Sequence, residues 1–387
     1  MFILNTRTSE IPKGFGSWKA LLRYGASNWK QFNDKKLARS TIAALLYTSG
    51  SSGTPKAAAL SHFNLVARNA SMLDDTTKPY EVSRLVCLPM FQALILPTVH
   101  IASIREGLTT YIMRRYDTTS YLKYISRYQI TEVAMVPQMV SSILLSPVSP
   151  NNLLTSLRDV FCGGAPLDKI IRQRIVGILP PEVRFTQGWG MSETGRITYF
   201  PFPEQDDTGS VGRLLPNTET KIVDDLGNDV VEDGRPGEIL IRGPSIMIGY
   251  VGRPDASKEA FTGNWLRTGD FGYCNGGKWY ITDRLKDLIK VRSWQVSPTE
   301  LENCLLSHPD IVDAAVIGVK AEGQIETPCA YVVRRHKSSL SQEDIQGWVS
   351  ARLAKYKQLT GGVKIMKSLP RAVNGKILRA KLLENQP

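Results

Sequence analysis

The stretch Tyr47-Thr48-Ser49-Gly50-Ser51-Ser52-Gly53-Thr54-Pro55-Lys56 crowds hydroxyls, two glycines and a lysine into one short loop. Glycine lets the backbone approach an anion closely, and hydroxyls and N–H groups then donate to phosphate oxygens. Upstream, Thr41-Ile-Ala-Ala-Leu-Leu-Tyr47 is an apolar run that reads as a buried strand. Downstream, Ala57-Ala-Ala-Leu60 is too short for a helix of its own, and Ser61 offers an N-cap for a helix through about Leu73. The segment therefore reads as a strand–loop–strand grip for an anion. It lacks the Gly-Lys-Ser/Thr ending of a Walker A loop, which runs straight into a helix.

Four further motifs follow in order. They are Thr186-Gln-Gly-Trp-Gly-Met-Ser-Glu-Thr194, Thr268-Gly-Asp270, Asp283-Arg-Leu-Lys-Asp-Leu-Ile-Lys290 and Asn374-Gly-Lys-Ile-Leu-Arg379. With the loop, they resemble the motif series of the adenylate-forming enzymes, which include acyl-CoA synthetases, 4-coumarate–CoA ligases, luciferases and peptide-synthetase adenylation domains. The resemblance covers residues 41–383. It implies an α/β fold of the adenylate-forming type. A large AMP-binding domain with a β-rich subdomain takes residues 1–283, and a small, mobile α+β domain takes residues 284–387, with Asp283-Arg-Leu-Lys286 as the hinge. Family members carry on the order of 150 residues before the phosphate loop, and this chain has about 40. The large domain is therefore expected to be partial, shortened at its front.

The element pattern agrees with an α/β reading. Leu85-Val-Cys-Leu88, Gly107-Leu-Thr-Thr-Tyr-Ile-Met113, Glu132-Val-Ala-Met-Val136 and Asp159-Val-Phe161 are strand-like, with helical stretches such as residues 119–128 between them. Over residues 209–243 short strands and tight turns take over, with a hairpin turn at Asp224-Asp-Leu-Gly-Asn228 and a strand at Gly237-Glu-Ile-Leu-Ile-Arg242. Ser297 and Pro298 open a further helix, residues 311–319 and 330–333 are strands, and Ser341 caps a helix through Leu353.

Composition narrows the class. The net charge of +12 suits nucleic acid or any polyanion, but no nucleic-acid-binding motif accompanies it. No apolar run reaches the roughly 20 residues of a membrane span. Cys87, Cys162, Cys274, Cys304 and Cys329 are odd in number and scattered, as in a reduced intracellular protein. The ending Glu384-Asn-Gln-Pro387 is not the Ser-Lys-Leu peroxisomal address. A cytoplasmic location is expected.

The resemblance implies a two-step reaction using ATP, Mg²⁺ and coenzyme A. A carboxylate attacks the α-phosphate of ATP, giving acyl-adenylate and pyrophosphate; a thiol, that of coenzyme A, then displaces AMP. Lys376 would bridge the carboxylate and the α-phosphate. Glu193 would hold Mg²⁺, with the hydroxyls of Ser192 and Thr194 beside it. Thr48, Ser49, Gly50, Ser51, Ser52, Gly53 and Lys56 would cradle the phosphates. Asp270 would accept from the ribose hydroxyls and Arg284 would contact ribose or phosphate. Gly164, Gln187, Gly188 and Trp189 would wall the adenine, with Trp189 stacking. Lys286, Lys290 and Gln295 fall in the motifs that contact the nucleotide. Arg115, Arg292 and Ser293 would meet coenzyme A. Phe91, Gln92, Leu94, Val136 and Gly163 would line the acyl pocket and suit an aryl or medium-chain acid.

Two positions depart from the family. Gln92 replaces a histidine usual against the acyl pocket, and Ser293 replaces a glycine that lets pantetheine pass close to the backbone. These departures suggest a specialised role in secondary metabolism. Two alternatives stay open: an adenylation enzyme that loads a carrier protein, and a truncated, inactive remnant that only binds nucleotide or a partner. The shortened front is expected to uncover apolar faces that a complementing chain would cover.

Overall fold

The computed structural model describes residues 2–3, 13–14, 16–25, 31–48, 55–72, 78–292, 294–320, 326–371 and 377–384. Five short strands form a parallel sheet in the order Thr109–Ile112, Ser83–Val86, Glu132–Met135, Asp159–Gly163, Arg184–Gly188. Helices Thr118–Arg127, Pro137–Leu144 and Lys169–Val176 lie between the strands in sequence; Asp117 and Asp168 cap the first and third by accepting from backbone N–H groups. Tyr121, Leu122, Ile125, Val140 and Ile143 from the first two helices are buried in one cluster with Met135 and Val160 of the sheet. Fully burying one such aliphatic side chain contributes about 1.5–3 kcal/mol.

Register fixes which side chains share a face. Arg84 pairs with Glu132, Glu132 with Asp159, and Asp159 with Arg184. One pleat further on, Ala134 pairs with Phe161 and Phe161 with Thr186; another pleat on, Gly163 pairs with Gly188. Because side chains alternate along a strand, this face carries a charged row, then a row around Phe161, then a row of glycines.

The β-rich region runs Asp229–Val230, Glu219–Val223, Gly237–Arg242, Trp265–Asn275, Phe261–Thr262, with Lys278–Arg284 also paired to Trp265–Asn275. The expected hairpin turn is present, and Asp224 Oδ1 stabilises it by accepting from the N–H groups of Leu226 and Asn228 at 2.9 and 2.8 Å.

The stretch around the loop forms the expected antiparallel pair, Ile42–Thr48 with Lys56–Ser61. Ser61 caps the helix His62–Ala70 through a reciprocal bond pair with Asn64, and the helix ends a few residues earlier than expected. The expectation that the first of these strands is buried is corrected. Only Leu46 is buried along Ile42–Thr48, and Ile42, Leu45 and Tyr47 are 49%, 45% and 73% exposed. The strand is the edge of a three-stranded sheet whose middle, Lys56–Ser61, is buried instead. An apolar run looks the same in sequence at an edge and in a core.

Beyond residue 297, the strands Ile311–Lys320, Glu326–Arg334 and Val363–Met366 carry the helices Pro298–Leu306 and Gln342–Ser350 over a separate cluster. Ser297 and Ser341 cap these helices as expected. The expected hinge begins inside a ladder: Asp283 and Arg284 pair with Phe271 and Asp270. Asp283 Oδ2 accepts from Ser297 Oγ at 2.7 Å and from the Thr299 N–H at 3.1 Å, which ties the strand to the next helix. Among the described residues no helix is long and apolar enough to cross a membrane.

Candidate active site

An open cleft of about 1120 Å³ brings together Thr48, Lys56, Ser192, Glu193, Arg284, Lys286 and Lys290. It is somewhat larger than the range typical of small-molecule sites, ~300–1,000 Å³. Thr48 and Lys56 face each other across the base of the hairpin. Ser49, Gly50, Ser51, Ser52 and Gly53 fall between them in the chain and lie outside the described residues. Lys56, Arg284, Lys286 and Lys290 line this concave surface with Arg267, and Glu193, Glu238, Glu259 and Glu326 line it too, Arg267 being paired with Glu238.

Asp270 sits behind the cleft wall, 4% exposed. Its Oδ1 pairs with Arg284 Nε at 2.9 Å and its Oδ2 accepts from the indole Nε1 of Trp189 at 2.7 Å. Thr268 Oγ1 accepts from the Asp270 N–H at 3.0 Å and itself donates to the Ile239 carbonyl at 2.6 Å. Both carboxylate oxygens are thus fixed in direction, one by the guanidinium and one by the indole. The same contacts revise the expectation for Trp189. Its ring is buried in a cluster with Ile197 and Trp279 rather than standing at a ligand edge, and its polar handle orients Asp270.

Glu193 is buried but lines the cleft. Tyr250, which the sequence reading missed, donates from its hydroxyl to Glu193 Oε1 at 2.7 Å. Burial, and then the neighbouring carboxylate, push the Tyr250 phenol above its usual value, so it stays a donor. Lys56 Nζ lies 5.2 Å from the centre of the Tyr250 ring. Arg68 Nη2 donates to the Ser192 carbonyl at 3.2 Å and Nε to the Ser245 carbonyl at 2.9 Å, fixing the turn that presents Glu193. Thr194, expected as a donor beside Glu193, spends its hydroxyl on the Gly195 carbonyl at 2.9 Å. Among the described residues no three carboxylate, thiol or imidazole groups cluster as a metal site. Of the glutamates that line the cleft, Glu238 is paired with Arg267 and Glu326 accepts from the Lys290 N–H. Glu193, beside the hairpin's Lys56, fits Mg²⁺, which keeps waters and is held largely by substrate phosphates.

The remaining expected residues are placed elsewhere. Gln187 is buried, and Gly188 ends its strand facing Gly163. A Cβ on Gly188 would sit 2.5 Å from the Phe161 ring and one on Gly163 would sit 2.8 Å from it, so that ring requires both glycines. Gly164 has φ +88, a conformation that glycine accommodates. The acyl set is corrected because it is not brought together. Phe91, 76% exposed, and Gln92 line the open cleft. Leu94 lines a separate inner cavity, while Val136 and Gly163 are buried and line neither space. Arg115 and Arg292 are exposed and line neither space, and Gln295 donates to Asp225 at 3.1 Å. Ser293 and Lys376 lie outside the described residues.

Residues 8–251 match the family described as AMP-binding enzyme, and residues 300–376 match the AMP-binding enzyme C-terminal domain. The chain is 42% identical over 395 residues to the phenylacetyl-CoA ligase epaB of Aspergillus niger, covering 100% of this chain and 73% of that protein. It is 42% identical over 391 residues to the acyl-CoA ligase azaF of Aspergillus niger, covering 99% and 73%. Among solved structures, ATP-bound MatB from Rhodopseudomonas palustris superposes with a TM-score of 0.85 at 26% identity, covering 94% of this chain and 72% of that one.

Proposed function

Because the chain belongs to the AMP-binding enzyme family, we propose that it activates a carboxylic acid with ATP and passes the acyl group to coenzyme A. The observation that carries this reading is the convergence of Lys56, Arg284, Lys286 and Lys290 with Glu193 on one cleft beside the phosphate-loop hairpin. In the first step a carboxylate oxygen forms a bond to the α-phosphorus, and the bond to the bridging oxygen breaks as pyrophosphate leaves with the electron pair. In the second step the thiolate sulfur bonds to the acyl carbon, and the carbon–oxygen bond breaks to release AMP. Mg²⁺ would screen the phosphate charges, with Glu193 as its protein ligand.

The chain's own groups take the remaining work. Thr48, Lys56 and residues 49–53 hold the phosphates, and Lys376 bridges the two reacting anions. Asp270, aimed by Trp189 and Arg284, accepts from the ribose hydroxyls. Gly164, Gln187 and Gly188 offer backbone to the adenine edge. Lys286, Lys290 and Gln295 assist at the nucleotide, and Arg115 and Arg292 serve coenzyme A. A boundary near residue 283 between a large and a small domain belongs to the same reading. So do a cytoplasmic setting, which five unpaired thiols support, and a place in secondary metabolism, which the exchanges at Gln92 and Ser293 favour. The exposed Ile42, Leu45 and Tyr47 favour a covering polypeptide on that edge, and a carrier protein is the second-ranked acceptor.

The reading is tested by incubating the protein with ATP, Mg²⁺, phenylacetate or another small acid, and coenzyme A. AMP and an acyl-CoA thioester should form together; release of ADP, or AMP without thioester, would refute it. Asp270→Asn should raise the KM for ATP about 10–100-fold with a smaller change in kcat, because charged hydrogen bonds contribute about 1.5–3 kcal/mol. An unchanged ATP KM would remove Asp270 from the ribose site. Ser293→Gly should improve turnover with coenzyme A and leave adenylation as it was. An unaltered apparent affinity for coenzyme A would count against crowding at that position.

A further inference from the structure

Behind the cleft lies a second, inner cavity of about 180 Å³ over the Phe161 row of the parallel sheet. The two spaces share a wall. Gln92 and Ala93 line the cleft, and the next two residues, Leu94 and Ile95, line the cavity. A cavity of about 150 Å³ with apolar walls takes up benzene, so this one holds a single ring or a short chain. Its floor is apolar or small, with Ala134, Phe161 and Thr186 in register across three strands.

Its far end is charged, and the charges do not balance. Glu132 is bonded by Lys78 and, at 3.0 Å, by Arg84; Asp159 pairs with Arg184 at 3.1 Å and with Lys78 at 3.9 Å. Three cations therefore already satisfy two carboxylates. Arg196 adds a fourth cation to the same lining. Its guanidinium lies 4.0 Å from the centre of the Phe161 ring, and its Nε is sealed from solvent with no acceptor among the described residues. An unpaired buried donor is costly, more so when charged. Burial pulls Arg196 down to about 10; Asp159 opposes this, and Arg84 and Arg184 add to it.

We infer that this cavity receives the far end of the acid and that Arg196 selects acids carrying a second carboxylate there. The inference rests on the acid-activating reading above. The reacting carboxylate stays in the cleft with the nucleotide, the chain or ring passes residues 92–95, and the distal carboxylate accepts from the guanidinium. Arg196 determines specificity here and takes no part in the chemistry. Its unpaired state without substrate is the stability cost that functional sites often carry.

The test compares hexanoate with adipate, and phenylacetate with 4-carboxyphenylacetate, in ATP–pyrophosphate exchange. In at least one pair the diacid should have a kcat/KM about 10–100-fold higher, the range for a charged hydrogen bond. Arg196→Met should abolish that preference while activity with the monoacid persists, and Arg196→Lys should keep part of it. Thermal unfolding supplies a readout apart from catalysis. Arg196→Met should melt higher than wild type, since an apolar replacement relieves the unpaired charge, and adipate should raise the melting temperature of wild type but not of Arg196→Met. Equal use of monoacid and diacid by wild type, or Arg196→Met lowering both alike, would overturn the inference. If wild type exchanges with no acid at all, the ligase reading fails; the adipate-dependent melting shift then still decides whether Arg196 binds a carboxylate.

Discussion

Lys376→Ala is expected to slow acyl-adenylate formation by about 10²–10³-fold, the scale of one electrostatic group aimed at transition-state charge. The first half-reaction presses a carboxylate against a triphosphate, and a cation between them offsets the repulsion that grows as the bond forms. Lys376 stands in the stretch Asn374-Gly-Lys376, whose resemblance to the family motif implies this role. The residues on either side are firmly held. Arg371 bridges to Ile377, Arg371 Nη2 bonds both oxygens of Asp313 at 2.7 and 2.9 Å, and the Leu378 N–H donates to the Pro370 carbonyl at 2.9 Å. Thioester formation from supplied acyl-adenylate should suffer far less in the same variant, because no phosphate bond is made in that step. Equal losses in the two halves would remove the lysine from the adenylation step.

Arg379→Ala should cost about 3–5 kcal/mol of stability, the penalty for stripping one partner from a buried ion pair. Arg379 Nη1 donates to Glu302 Oε1 at 2.5 Å and to the Val316 carbonyl at 2.6 Å, and Nη2 to Glu302 Oε2 at 3.2 Å. Glu302 Oε1 also accepts from the Val316 N–H at 2.8 Å, so one carboxylate joins a helix, a strand and the chain end. Burial pushes the Glu302 carboxyl up, and Arg379 is the main group opposing it. In the variant that opposition is gone and the folded-state value rises further above the unfolded one. The deficit should therefore shrink below the ordinary glutamate range and be largest near neutral pH, since a raised carboxyl loses its contribution as pH climbs through the folded value. Urea unfolding followed by tryptophan fluorescence would measure both effects. Trp348 lies close by, donating to the Cys304 carbonyl at 3.0 Å. A loss under about 1 kcal/mol, or a deficit that grows on acidification, would contradict the argument. Replacing both partners with apolar residues should cost much less than Arg379→Ala alone.

What was legible in the sequence was mostly local. Ser61, Ser297 and Ser341 announce their helices because a cap acts within three residues. The turn at Asp224 is readable for the same reason. The motif series led to Lys56, Glu193, Arg284 and Lys290, and the fold gathers them on one cleft. Legibility failed where a side chain's direction or neighbours depend on distant chain. The Ile42–Thr48 run carries no mark of being an edge. Trp189 sits in a ligand-binding motif yet turns inward, because a carboxylate at Asp270 waits for its indole N–H. Tyr250 meets Glu193 across 57 residues with no motif around it. Gly163 looks like a pocket residue by position and shares a face with Phe161, but the Phe161 ring packs over Gly163 and Gly188, and the cavity floor falls to Ala134, Phe161 and Thr186.

The measurement that bears most directly on the central claim is ATP–pyrophosphate exchange without coenzyme A. Labelled pyrophosphate is supplied with ATP, Mg²⁺ and a panel of carboxylic acids, omitting each acid in turn. The account predicts label entering ATP only when a suitable acid is present, because exchange requires a reversible acyl-adenylate. It also predicts that later addition of coenzyme A drains the adenylate to thioester and AMP. Nucleotide binding with no acid-dependent exchange across the panel would contradict it, and would leave the chain a nucleotide-binding protein without ligase chemistry.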